Sequence, residues 1–236
     1  MASHLLAVTF DAHDPTRLAR FWADLLGRET RDDPRGPLLL GEPGQLGLRF
    51  ARSDAGKAVA NRMHLHLTSA TPADQQATVD RVLELGGRHI DVGQLPEEGH
   101  VVLADPEGNE LCVIEAGNAF LAGTGFLGEL ACDGTRDVGV FWSEALGWPL
   151  VWDSDEETAV QSPLGGTKVA WGGPPVEPRV GRNRQRLDLV VDRDPEAETD
   201  RLVGLGATRL GPSPDGGGAV ELADPDGNEF TVSVAR

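Results

Sequence analysis

The sequence predicts an α+β protein built from one domain type used twice, each copy made of two βαβββ modules. Three observations carry this reading. The segment Ala104-Asp105-Pro106-Glu107-Gly108-Asn109-Glu110 returns as Ala223-Asp224-Pro225-Asp226-Gly227-Asn228-Glu229. Phe21-Trp22, Leu26-Gly27, Asp80-Arg81 and Leu85-Gly86 recur as Phe141-Trp142, Leu146-Gly147, Asp200-Arg201 and Leu205-Gly206. Each half also alternates short apolar runs with helical stripes. The period, about 120 residues, indicates tandem domains rather than a solenoid, whose repeats run roughly 20–50 residues. The expected domains are 1–116 and 126–236, with 117–125 as the linker.

The elements follow in order. A first strand is expected over 5–10. The first helix opens at Asp14-Pro15, an N-cap followed by proline at the first helical position. Leu18, Phe21, Trp22, Leu25 and Leu26 then fall at helical spacing, and Gly27 ends the run. Short apolar runs at 38–40, 46–50 and 63–68 read as strands. The second helix starts at Thr71-Pro72, with Asp74 three residues after the cap, and stops at Gly86-Gly87. Strands at 101–104 and 111–114 flank a turn with proline at its second position and glycine at its fourth. The second half repeats the scheme, with its first helical stripe at Val138, Phe141, Trp142, Ala145 and Leu146 and its second helix running from Asp194-Pro195 to Gly206.

Composition excludes several classes. With 39% hydrophobic and 25% charged residues among 236, the chain is that of a globular protein. No apolar run reaches the roughly 20 residues of a membrane helix, and the stretch 1–10 has no basic leader or cleavage site. Cys112 and Cys132, the only cysteines, are too few for a disulfide framework, and a cytoplasmic location is expected. A formal net charge of −17 argues against nucleic acid or anionic membrane as partners. Two basic windows stand out against it: Arg49, Arg52, Lys57 and Arg62, and, at the matching place, Lys168, Arg179, Arg182, Arg184 and Arg186. Two readings are open for them, balance for the acidic remainder or a hold on an anionic ligand group.

Together these motifs resemble the vicinal oxygen chelate superfamily of glyoxalases, bleomycin-resistance proteins and extradiol dioxygenases, and more narrowly its glyoxalase-like domains. The carriers are Phe21-Trp22 with Leu26-Gly27, Asn61-Arg62-Met63-His64-Leu65 and the run from Leu103 to Glu110, with their repeats at Phe141-Trp142, Asn183 to Asp188 and Leu222 to Glu229. The resemblance implies that paired modules curl into an open, U-shaped sheet around a cavity. It also implies, for the metal enzymes, a divalent ion held by His, Gln and Glu side chains projecting from strands. The place three residues after the hairpin Asn usually carries a carboxylate; here it holds Cys112 and Thr231. The final strands of the leading modules contain no Asp or Glu, and the first-strand ligand position falls near Ala7 and Leu127.

What remains is His64, at a place where the resemblance implies a His ligand, and His66, which shares its strand face by alternation. Such a pair can serve zinc, iron or another transition metal, with Cys112 as a conceivable soft third ligand. The second half has Arg186 and Asp188 instead, for which a buried ion pair is one open reading and ligand binding the other. Trp22 and Trp142 belong to core stripes, whereas Trp152 and Trp171 are candidates for ligand stacking. Glu110 and Cys112 are the candidate catalytic groups. His64, His66, Cys112, Trp152, Trp171, Arg186, Asp188 and Thr231 form the candidate ligand-binding set.

The expected function is small-molecule binding, as in ligand sequestration or resistance, without the usual metal site or another cofactor. The alternative is a lyase, isomerase or dioxygenase dependent on a divalent metal (Zn, Fe, Mn or Ni), with its site around His64 and His66. The expected partner is a small-molecule ligand, with no nucleic acid or membrane. The chain is expected to work as a monomer with an internal pseudo-twofold or as a homodimer.

Overall fold

The computed structural model describes residues 3–95 and 97–235. Four modules follow one another. The first holds β1 (His4–Ala12), α1 (Pro15–Leu26), β2 (Thr30–Arg31), β3 (Leu38–Leu39) and β4 (Gly47–Arg52). The second holds β5 (Met63–Leu67), α2 (Pro72–Glu84), β6 (Arg88–His89), β7 (Val101–Ala104) and β8 (Glu110–Val113). The third holds β9 (Leu127–Cys132), α3 (Arg136–Leu146), β10 (Leu150–Ser154), β11 (Glu157–Gln161) and β12 (Lys168–Trp171). The fourth holds β13 (Gln185–Val191), α4 (Pro195–Leu205), β14 (Thr208–Pro212), β15 (Val220–Ala223) and β16 (Glu229–Val234).

The helix ends are those the sequence marks. Asp14 accepts from the Arg17 backbone N–H, Thr71 from that of Asp74 and Asp194 from that of Ala197, and each is followed by proline. Gly27 and Gly147 close α1 and α3 in the left-handed conformation, which costs glycine little. Inside α3, Gly139 lies so close to Thr158 of β11 that a Cβ would fall 1.9 Å from the hydroxyl. The helix could not sit at this depth on the sheet with a larger residue there.

The fold class stands as read: among the described residues there are two open eight-stranded sheets and four helices. Which modules share a sheet is the new fact. The order β14-β15-β16-β13-β1-β4-β3-β2 joins the first module to the fourth, and β10-β11-β12-β9-β5-β8-β7-β6 joins the second to the third. Each sheet therefore takes one module from each half, where pairing within a half was the natural expectation. The joints are antiparallel, β1 on β13 and β5 on β9. Local sequence cannot select the partner, because all four modules offer the same kind of opening strand.

The recurring motifs tie the two modules of each half across the sheets. Asp105 accepts from the backbone N–H groups of Glu107 and Asn109, from the Asn109 side chain and from the indole N–H of Trp22 on α1. Asp224 does the same with Asp226, Asn228 and Trp142. Both tryptophans belong to a buried cluster that draws on all four modules, including Phe10, Leu65, Leu130 and Phe230. Burying one such indole stabilises by about 4–6 kcal/mol at ~25 cal/mol per Å² over ~150–250 Å². Among the described residues, no helix is long and apolar enough to cross a membrane.

Candidate functional site

The second sheet presents two facing stripes. Alternation along β5 puts Arg62 (just before the strand), His64 and His66 on the concave face, and β9 answers with Asp133 (just after it), Ala131 and Glu129. His64 is in register with Ala131 and His66 with Glu129, while the Asp133 N–H bonds the Arg62 carbonyl. The outer pairs are matched in charge: Arg62 lies 3.3 Å from Asp133, and His66 Nδ1 lies 2.7 Å from Glu129 Oε2. The middle imidazole, His64, faces an alanine and makes no hydrogen bond among the described residues. Its ring centroid is 4.7 Å from that of His66.

These surroundings push the two imidazoles apart in pKa. Burial lowers His64 to about 3, helped by the neighbouring charges of His66 and His100. Burial also works against charge on His66, but the adjacent Cys112 sulfur and the Glu129 carboxylate outweigh it and raise His66 to about 9. One cross-strand row runs through the site, with Cys112 beside His66, then Glu129, Lys168 and Gln161. Lys168 sits 4.1 Å above the Phe120 ring and donates to the Phe120 carbonyl, and burial holds its pKa below the ordinary lysine value.

A cavity of about 560 Å³ opens over this face, lined by His64, His66, Glu129, Phe120, Trp152 and Ala170 among others. Trp152, 45% exposed, meets Phe120 edge-on at 6.0 Å. Trp171 borders the same cavity but is 2% exposed and belongs to the core. Cys112 is buried beside Leu121, so the interdomain segment covers that end of the sheet.

Arg186, Asp188 and Thr231 lie on the first sheet, together but differently engaged. Arg186 and Asp188 do not form the ion pair with each other that the sequence leaves open. Asp188 pairs with Arg35 at 2.7 Å and Arg49 at 2.9 Å and accepts from the Thr231 hydroxyl at 2.8 Å. Arg186 pairs with Asp11 at 2.8 Å and Asp215 at 3.0 Å. The cross-half pairing of β1 with β13 brings Asp11 to Arg186, and the loops carrying Arg35 and Asp215 supply the rest.

Glu110 is a tie rather than a cavity-lining group. It pairs with Lys57 and accepts from the Asn61 N–H, as Glu229 does with Arg179 and Asn183. Apart from Lys168, the basic windows are spent in the same way. Arg49, Arg52, Lys57, Arg62, Arg179, Arg182, Arg184 and Arg186 all pair with carboxylates, which favours charge balance within the fold.

The residue that sequence reasoning missed is Glu129. Leu127, taken for the first-strand position of the third module, is paired with Leu67 in the core, and Glu129 stands opposite His66. The connection from strand to helix is two residues shorter here than in the first module: Ala7 to Trp22 spans 15 positions and Glu129 to Trp142 spans 13. Counting back from the helix therefore lands two residues early. The available signal was a lone charge amid the apolar run 126–132.

The donors present can be tested against the ion that the resemblance implies. One ligand atom each from His64, His66 and Cys112 lie within 4.8 Å of one another. Among the described residues His66 Nε2 is buried without a partner at full hydrogen-bond geometry, with the Cys112 sulfur beside the ring, and its other nitrogen is held by Glu129. Two imidazoles and a thiol suit a zinc-like transition ion and do not suit magnesium or calcium.

Comparison with solved structures bears on the fold. Glyoxalase I from Zea mays matches with a TM-score of 0.67 at 14% identity, over 98% of this chain and 92% of that one. A dioxygenase candidate from Bacillus subtilis subsp. subtilis str. 168 matches with a TM-score of 0.59 at 14% identity, over 99% and 85%. At these identities the likeness establishes the fold and no activity. No curated protein sequence matched the chain. The family model described as a glyoxalase-like domain matches residues 7–114 and 129–233; the chain belongs to this family, and so to the vicinal oxygen chelate superfamily, with one copy of the domain in each half.

Proposed function

We propose that the chain is a small-molecule-binding protein of the glyoxalase-like family, with a sequestration or resistance-like role, and that its working cavity is the one on the second sheet. The observation that carries this reading is the contrast between the two concave faces. On the first, Arg35, Arg49, Arg186 and Asp188 are consumed by ion pairs. On the second, His64 has no hydrogen-bond partner among the described residues and shares with Trp152 and Phe120 the lining of a cavity of about 560 Å³. Aromatic walls with a few convergent polar groups are the usual make-up of a ligand site. The net charge of −17 supports a role without nucleic acid or membrane. The cross-half sheets suit a monomer with an internal pseudo-twofold, with a homodimer as the alternative, and a cytoplasmic location belongs to the same proposal.

The test is a fluorescence titration with anilinonaphthalenesulfonate as an aromatic probe. Saturable binding that quenches tryptophan emission, is weakened at least tenfold by Trp152→Leu and is unchanged by Thr231→Ser supports the reading. Equal binding by Trp152→Leu would sink it.

A second reading, a metal-dependent lyase, isomerase or dioxygenase, is favoured by the clustered donors of His64, His66 and Cys112. A divalent ion would supply Lewis acidity toward a substrate oxygen. His64 and His66 would hold it, Glu129 would orient His66, and Phe120 with Trp152 would shield the site from water. Elemental analysis of protein purified without a histidine tag separates the readings: about one transition metal per chain favours the second.

A further inference from the structure

We infer that His64, His66 and Cys112 form a thiolate-containing, three-donor site selective for a zinc-like transition ion, with Glu129 of the other half as the positioning residue. The inference rests on the second reading's premise that an ion binds at His64 and His66, and it adds the ion class, the third ligand and the role of Glu129. The set departs from the His, Gln and Glu donors that the resemblance implies.

Four observations converge on it. His64 and His66 project from one face of β5 with ring centroids 4.7 Å apart, and Cys112 is the residue of β8 in register with His66. The three donor atoms lie within 4.8 Å of one another, close enough for one ion to draw them together. Among the described residues His66 Nε2 is buried with no partner at full hydrogen-bond geometry, and the group beside the ring is the Cys112 sulfur, a donor for the same ion. Glu129 accepts from Nδ1 of the same ring at 2.7 Å. A carboxylate behind a ligating imidazole fixes the tautomer and aims the other nitrogen, a recurring arrangement at metal centres.

The donor chemistry selects the ion. Thiolate with imidazole favours zinc and its neighbours, whereas magnesium and calcium require oxygen ligands. Three protein donors leave any further coordination position to water or to the cavity's ligand, as in zinc sites that bind substrate. The next group in the row, Lys168, cannot be the fourth ligand while its ammonium is held on Phe120.

The test uses cobalt(II) as a spectroscopic stand-in for zinc on the full chain. Stoichiometric binding with a near-ultraviolet thiolate-to-cobalt charge-transfer band, displaced by zinc and not by magnesium, is expected. Cys112→Ser should abolish the band, and Glu129→Gln should weaken binding about 10- to 100-fold while keeping it. In the unmodified chain, zinc should protect Cys112 from alkylation, a readout that needs no variant. Cobalt bound without the band, and without protection of Cys112, overturns the inference while leaving the second reading intact. Absence of stoichiometric cobalt or zinc binding overturns both.

Discussion

Glu129 and His66 face each other across the joint between the two halves of the chain, carboxylate Oε2 2.7 Å from imidazole Nδ1. Neither half has this pair by itself. Glu129→Gln keeps the shape and a hydrogen bond but removes the charge of one of the two groups that offset burial, the other being the Cys112 sulfur. The Cys112 sulfur still raises His66, so its pKa should fall from about 9 by part of its rise above the ordinary value. Histidine NMR titration of chelator-treated protein measures this directly. A value still near 9 would mean that Glu129 does not set the charge state of His66.

The same two imidazoles make the metal-free protein most stable near neutrality. His66 has a folded pKa of about 9, above the unfolded value near 6.5. Its stabilisation is therefore complete below pH 6.5 and is lost as pH rises through 9, up to about 3 kcal/mol. His64 runs the other way. Its folded pKa of about 3 lies below the unfolded value, so stability is present above pH 6.5 and drains away as pH falls toward 3. Urea midpoints across pH 4 to 10 should show both slopes. His66→Gln should flatten the alkaline one and His64→Gln the acid one.

The fold was legible where it depends on local chemistry. Proline after an N-cap, glycine at a helix end and the Asp-Pro-x-Gly hairpin each act within a few residues, and these features appear where the sequence puts them. The two-residue edge strands β2 and β6 were not legible, having too few residues to show alternation. The cross-half sheet pairing was hidden for a different reason. It is decided by contacts more than 60 positions apart, such as His66 with Glu129, which no local pattern records. Of the site, the His-x-His pair and Cys112 could be read from alternation, whereas Glu129 was displaced by a two-residue difference in one connection.

The link between Trp22 and Asp105 makes the hairpin motif a structural clamp. Asp105 is fully buried and accepts four N–H donors, from Glu107, Asn109 (two) and Trp22. Asp105→Ala leaves those donors without an acceptor and should cost about 2–4 kcal/mol. Trp22→Phe removes one donor and part of the packing and should cost about 1–3 kcal/mol. Asp224→Ala should match Asp105→Ala, since the second half repeats the arrangement. Chemical denaturation would check all three. A loss under about 0.5 kcal/mol for Asp105→Ala would remove the clamp from the account.

Asp188 separates stability from binding. It is fully buried and is the shared anion for Arg35 and Arg49, with Thr231 donating to it as well. Removing one member of such a group strands buried positive charge, so Asp188→Ala should cost about 3–5 kcal/mol. Replacing a cation at the same time relieves part of that penalty: Arg35→Met with Asp188→Ala should be less damaging than the sum of the single changes. The folded fraction of either variant should bind the aromatic probe as the original chain does, because the cavity with Trp152 and His64 lies on the other sheet. Denaturation midpoints give the first result and probe titration at low temperature the second. If Asp188→Ala weakened probe binding tenfold with the fold intact, the first sheet would have to be counted as part of the ligand site, and its ion pairs as the means by which it holds a ligand.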